Sequence, residues 1–181
     1  MSLLRSTNED FGGGRPLPNG EWSVTVEDAT VEHRSDTEER FNRTYGQITT
    51  PNGETELPSV NGQPAFRIGN RKLFVHSWIR HSNEQAQRIG NGEITKEGFA
   101  ASLIERPKRG EHVETEINEE YAESLRGKRF LVRTQQRPNY IVRQEMEAEL
   151  GRRPQAAELR AKVAELSGDD IEVVVVGWRR P

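Results

Sequence analysis

Arg71-Lys72-Leu73-Phe74-Val75-His76-Ser77-Trp78-Ile79-Arg80 is the stretch on which the reading of the chain turns. In an extended strand, successive side chains point to opposite faces. One face then carries Leu73, Val75 and Ile79, residue types of a core. The other carries Lys72, Phe74, His76, Trp78 and Arg80, cations interleaved with rings. Two readings of that second face compete. Flat rings stack on unpaired bases and cations neutralise phosphates, so the row suits a single-stranded nucleic acid. A strand buried on both sides, its rings covered by long basic stems, accounts for the same residues.

Towards the N-terminus, residues 54–70 hold Pro58, Gly62, Pro64 and Gly69 and are expected to be a long loop. Before them, Trp22, Val24 and Val26 alternate with Ser23, Thr25 and Glu27, which predicts a half-buried strand extending as far as Val31. A charged turn covers Ser35 to Arg40, a second strand Phe41 to Thr50, and Pro51-Asn52-Gly53 turns the chain. Residues 1–20, with Gly12-Gly13-Gly14, Pro16 and Pro18, predict a flexible arm ahead of one domain over 21–181.

Towards the C-terminus, Ser82 and Gln85 form a capping box for a helix from Asn83. Thr95 caps a second helical stretch with Phe99, Leu103 and Ile104 on one face. The run from Glu111 to Glu123 holds six glutamates and suits a solvated face. Asn118 caps a short helix through Leu125, and Gly127 fits its end. Lys128 to Gln135 is the fourth main strand. Arg126–Arg137 contains five basic residues and no acidic one, which suits a phosphate-tracking groove. An α-hairpin follows over about 140–166, with Gly151 ending its first helix and Pro154 in the first turn of its second. Ile171 to Trp178 is the last strand. Because Val173 to Val176 are apolar on both faces, it is expected at the centre of the sheet.

The totals limit the function. The 181 residues are 32% hydrophobic and 30% charged, with a net charge of −3. That balance counts against wholesale coating of duplex DNA but permits a local basic groove. Cysteine is absent, which removes disulfides, thiolate chemistry and cysteine zinc sites. No apolar run reaches transmembrane length and no secretory h-region is present, so a cytoplasmic protein without membrane partners is expected. His33, His76, His81 and His112 lack metal-ligand spacing. Phosphate-binding loops, dinucleotide fingerprints and nucleophile elbows are missing too. The expectation is binding rather than catalysis, with no cofactor, metal or small-molecule substrate.

Three strands, a helix, a strand, a helical insertion and a strand is the order of an OB-fold. The expected fold is therefore mainly β with added helices (α+β): a five-stranded OB-fold-like barrel with a helix between strands 3 and 4 and a helical hairpin before the last strand. The chain resembles the phage-encoded OB-fold single-stranded DNA-binding proteins found with recombination and replication genes. The residues that carry the resemblance are Gly20-Glu21-Trp22-Ser23-Val24-Thr25-Val26-Glu27-Asp28-Ala29, Phe74–Ile79 followed by Ala86-Gln87-Arg88-Ile89-Gly90, and Leu125-Arg126-Gly127-Lys128-Arg129-Phe130-Leu131-Val132. It spans roughly residues 20–135 and the last strand. The chain departs from that group in the 54–70 loop, in the 140–166 helices, and in ending on Arg179-Arg180-Pro181 instead of an acidic tip.

The resemblance implies binding of single-stranded DNA, with little sequence preference, in phage-type replication or recombination in the host cytoplasm. Lys72, Arg80, Arg129 and Arg133 would neutralise phosphates, Phe74 and Trp78 would stack on bases, and His76 would stack or add charge at lower pH. The rival expectation is a phage virion or assembly protein, a homo-oligomer that latches its neighbours through the arm and loops.

Overall fold

The structure is a computed structural model that describes residues 16–35, 38–60, 63–68, 71–79, 83–94, 103–111 and 117–181. Seven strands are described: β1 (Gly20–Ser35), β2 (Glu38–Thr49), β3 (Glu56–Val60), β4 (Gln63–Arg67), β5 (Leu73–Ile79), β6 (Arg129–Pro138) and β7 (Ile171–Arg179). The helices are α1 (Asn83–Gly90), α2 (Glu119–Ser124), α3 (Tyr140–Leu150) and α4 (Ala156–Val163), with a further helical turn at 103–105. Five strands form one antiparallel sheet in the order β5-β2-β1-β6-β7, and β3 and β4 form a separate hairpin.

β1 is the axis of the sheet because it pairs with two partners. Residues 20–25 pair with β6, while residues 23–35 pair with β2. Its inward set is Trp22, Val24 and Val26, and then Ala29 and Val31. The switch from even to odd positions follows from the register shift between Val26 and Asp28, since one extra residue moves the following side chains to the opposite face. β2 makes the matching change, with Phe41, Arg43 and Tyr45 inward, then Ile48. Gly46 sits at the change. A Cβ there would meet the Glu27 side chain at 3.0 Å, so glycine lets Glu27 cross from β1.

The core lies on the inward face of the sheet. Phe41 meets Tyr121 of α2 with ring centroids 5.8 Å apart, and Tyr45 meets Phe130 of β6 at 6.1 Å. Burial of each large apolar side chain contributes on the order of 1.5–3 kcal/mol. Asn118 starts α2 by accepting the Tyr121 amide, 2.9 Å away, as its sequence position predicts. Past that helix, Val26 and residues 127–128 exchange backbone hydrogen bonds, which anchors the entry to β6 beside the β1 bulge. Asn139 and the left-handed Gly151 bound α3. The second helix begins later than expected, because Gln155 and Glu158 form its capping box and leave Pro154 outside it.

Four further expectations change in the arrangement of the chain. The 54–70 segment contains the β3–β4 hairpin rather than only loop. β7 is an edge strand, not the central one, and none of its residues is fully buried. Val173, Val175 and Trp178 pack on the core, while Val176 remains exposed. A run of β-branched residues marks a strand, but its place in the sheet depends on what pairs beside it. Third, the five main strands form an open sheet, not a hydrogen-bonded closed barrel. β5 and β7, the two edges, approach within 8 Å between Cα atoms without pairing. Fourth, the part of the N-terminal arm that is described is docked. Leu17 is buried, and Gln136 donates to the Pro16 and Leu17 carbonyls. Thr134 Oγ1 donates to the Pro18 carbonyl at 2.9 Å and accepts from Trp22 Nε1 at 2.7 Å. Residues 1–15 lie outside the described residues, as do Ser82, Thr95 and Phe99.

Candidate nucleic-acid interface

Strand β5 alternates without a break. Leu73, Val75, Ser77 and Ile79 face inward, and Phe74, His76 and Trp78 face outward. Phe74 is 62% and Trp78 45% exposed, so these rings are not core and the reading of a strand buried on both sides does not hold. Leu73, Val75 and Ile79 fill the inner side and belong to the core cluster, which includes none of the outward rings.

β2 sets polar residues beside these rings. Arg40 is opposite Trp78, Asn42 opposite His76 and Thr44 opposite Phe74. One strand further in, Glu32 is opposite Arg40 and Thr30 opposite Asn42. The result is a network of side chains across three strands. Arg40 donates from Nη2 to both Glu32 oxygens at 2.7 and 2.6 Å. Arg34 donates to Glu32 Oε2 at 3.1 Å, and Asn42 Nδ2 donates to Oε1 at 2.8 Å. Asn42 Oδ1 lies 2.6 Å from His76 Nδ1. Both Arg34 and Arg40 place their guanidinium carbons 5.7 Å from the centre of the Trp78 ring. Hydrogen bonding by the Arg40 guanidinium, foremost, holds the Glu32 carboxyl below its ordinary pKa.

The other expected site residues are placed differently. Lys72 is exposed next to β5, with Nζ 2.8 Å from Glu27 Oε2. Arg80 and His81 lie outside the described residues. Arg129 and Arg133 are exposed on β6, but the register sets them opposite Thr25 and Glu21 of β1, whereas Trp78 aligns through Arg40 with Glu32. With strands about 4.8 Å apart and a rise of about 3.3 Å per residue, Arg129 stands on the order of 14 Å across and 20 Å along the sheet from Trp78. The structure therefore brings Phe74, His76 and Trp78 together and leaves Arg129 and Arg133 elsewhere. Nor is the basic run 126–137 an open groove. Arg126 pairs with Asp28 at 2.9 Å, Lys128 with Glu105 at 3.7 Å and Arg137 with Glu172 at 2.5 Å.

Arg34, Arg40 and Asn42 belong to the outward face and were absent from the expected site. Arg40 falls in a stretch that composition marks as a charged turn, although in the structure it is paired strand. The signal that locates it is the alternation of Arg40, Asn42 and Thr44 with Phe41, Arg43 and Tyr45.

A cleft of about 550 Å³ opens near the chain end, lined by Glu105, Lys108, Glu111, Lys128, Arg129 and Arg180 among others. Its cations are largely committed. Arg180 pairs with Glu105 and Glu111, and Arg129 donates to Ser23 at 2.9 Å. Tyr121 donates to the buried Glu105 at 2.8 Å, and burial, reinforced by that carboxylate, pushes its pKa up. This cluster braces the structure. Among the described residues, no three histidine or carboxylate side chains group in a way that could hold a metal ion, and no helix is long and apolar enough to cross a membrane. No protein family, curated protein or solved structure was found to match the chain.

Proposed function

We propose that the outward face of β5 and β2 binds single-stranded nucleic acid, DNA in the first instance, with little sequence preference and without catalysis. The observation that carries the proposal is the exposure of Phe74, His76 and Trp78 at successive outward positions of one strand. Side chains on one face of a strand repeat every 6.6 Å or so. Bases within a duplex strand rise about 3.4 Å. Only an extended, unstacked strand therefore sets successive bases against successive rings. Arg34 and Arg40 supply the phosphate partners beside Trp78, the role first expected of Lys72, Arg80, Arg129 and Arg133.

The strand order supports an OB-like reading of the fold. Counting β5, β6 and β7 as the third, fourth and fifth main strands, the order 3-2-1-4-5 would close into a barrel by pairing its two edges. The second and third strands then provide the face that OB-folds use for oligonucleotides. A role in phage-type replication or recombination rests on the resemblance of residues 20–135. The rival, a virion or assembly protein latching neighbours through its arm and loops, draws on the arm at 1–20, the 54–70 segment and the net negative charge; residues 1–15 of that arm lie outside the described residues.

The test is the fluorescence anisotropy of labelled oligo-dT titrated with the protein at low and high salt. Binding at micromolar protein or below is expected, weakening as salt rises. Phe74→Ala and Trp78→Ala should each cost about 1–3 kcal/mol of binding, with folding unchanged because both rings are solvent-facing. Absence of binding at low salt, or wild-type affinity in both variants, would sink the proposal.

A further inference from the structure

We infer that Glu32 is an internal phosphate mimic: its carboxylate occupies, in the unbound protein, the anion subsite that a backbone phosphate takes when a base stacks on Trp78. The inference rests on the proposed binding face and adds the position of its anion subsite and a means by which occupancy is controlled. Four groups converge on the one carboxylate or its immediate surroundings. Arg40 reaches both oxygens, Arg34 one, Asn42 the other, and the Trp78 ring lies against both guanidinium groups. Two guanidinium groups and an amide converging on two oxygens is also the donor set that suits a phosphate.

The geometry has a second consequence. A guanidinium near the Trp78 ring competes with a base for contact with the ring, and the hydrogen bonds to Glu32 hold Arg40 there. An incoming strand must exchange the carboxylate for its own phosphate before the arginines can turn outward. Glu32 thereby raises the threshold for weakly charged or short ligands, while a longer polyanion can displace it. Its side chain is part-exposed on an outward strand position, so its replacement leaves the core untouched.

The experiment compares wild type, Glu32→Gln, Arg40→Gln and the double variant for oligo-dT binding by anisotropy across a salt series, with thermal melts as a check on folding. Glutamine keeps the size and removes the charge. Glu32→Gln is expected to bind roughly three- to tenfold more tightly at low salt, the scale of releasing one or two surface ion pairs. The dependence of log affinity on log salt should steepen by about 0.7 for each added phosphate contact. In the Arg40→Gln background the gain should shrink, which separates vacating a subsite from a general loss of repulsion. Unchanged or weaker binding by Glu32→Gln, with wild type still bound and sensitive to Trp78→Ala, overturns the mimic and leaves the binding face standing. No binding by any of the four proteins overturns both.

Discussion

At the scale of the residue, neighbours decide what a charged side chain is available to do. Arg40, Lys72 and Arg126 are all surface cations, yet each already has a carboxylate partner, in Glu32, Glu27 and Asp28. Charge counts along the sequence overstate the cations open to a ligand for this reason. Glu158 shows the same pairing with a pH signature. Its oxygens accept from Arg152 at 2.9 and 2.7 Å and from the Gln155 amide at 2.6 Å. Those bonds, the Arg152 bond foremost, hold its pKa at about 2 instead of 4.5. A depressed folded pKa means that the stabilisation is complete above the unfolded value and is lost as pH falls from about 4.5 towards 2. An NMR titration should place the Glu158 carboxyl midpoint well below those of the other glutamates, and Glu158→Gln should flatten the acid limb of α4 stability. An ordinary midpoint near 4.3 would contradict the pairing.

At the scale of the element, boundaries follow from single side chains. Asn139 caps α3 by accepting the Val142 amide at 2.9 Å, and its Nδ2 donates to the Asp169 carbonyl at 2.9 Å. It thus ties the start of the helical hairpin to the approach of β7. Asn139→Ala should cost about 1–2 kcal/mol, read as a lower urea midpoint with an unchanged slope. A loss below a few tenths would mean that the cap is dispensable. The β3–β4 hairpin shows the opposite relation between residue and element. Pro58, Gly62, Pro64 and Gly69 are strand breakers by propensity, which is why residues 54–70 read as loop. A short two-stranded hairpin outside the main sheet tolerates proline where no ladder bond is required, so local propensity underestimates it.

At the scale of the whole molecule, the feature to explain is the seam between β5 and β7. The main sheet does not close by hydrogen bonds, but buried Arg43 spans the gap. Its guanidinium donates to Ser77 Oγ of β5 and to the Ile104 carbonyl at 3.0 Å, and lies 4.5 Å from the Trp178 ring of β7. Trp178 Nε1 donates to the same Ile104 carbonyl at 2.7 Å. Burial lowers the Arg43 pKa, and the carbonyl, hydroxyl and ring face share its charge. Arg43→Ala should destabilise by about 3 kcal/mol in urea unfolding, through lost packing and an under-satisfied carbonyl. Arg43→Met, which keeps the stem and removes the charge, should cost much less. Equal losses would show that charge, not volume, holds the seam.

The five main strands, their order along the chain and the division of the side chains in 73–79 between two faces were legible in the sequence, because alternation is a local property of an extended backbone; that the ring-bearing face is exposed came only from the tertiary structure. Phe74, His76 and Trp78 could be assigned to one face for the same reason. What only the tertiary structure decided depends on pairing between distant segments. Register put Arg34, Arg40 and Asn42 beside Trp78 and carried Arg129 and Arg133 to a remote part of the sheet. Bulges at Val26 and near Gly46 exchanged the buried parity within β1 and β2, which no uniform period anticipates. The valine run of β7 lies at an edge because its neighbour on one side is the open seam. Alternation fixes a face within one strand; hydrogen-bond register between strands fixes which faces meet.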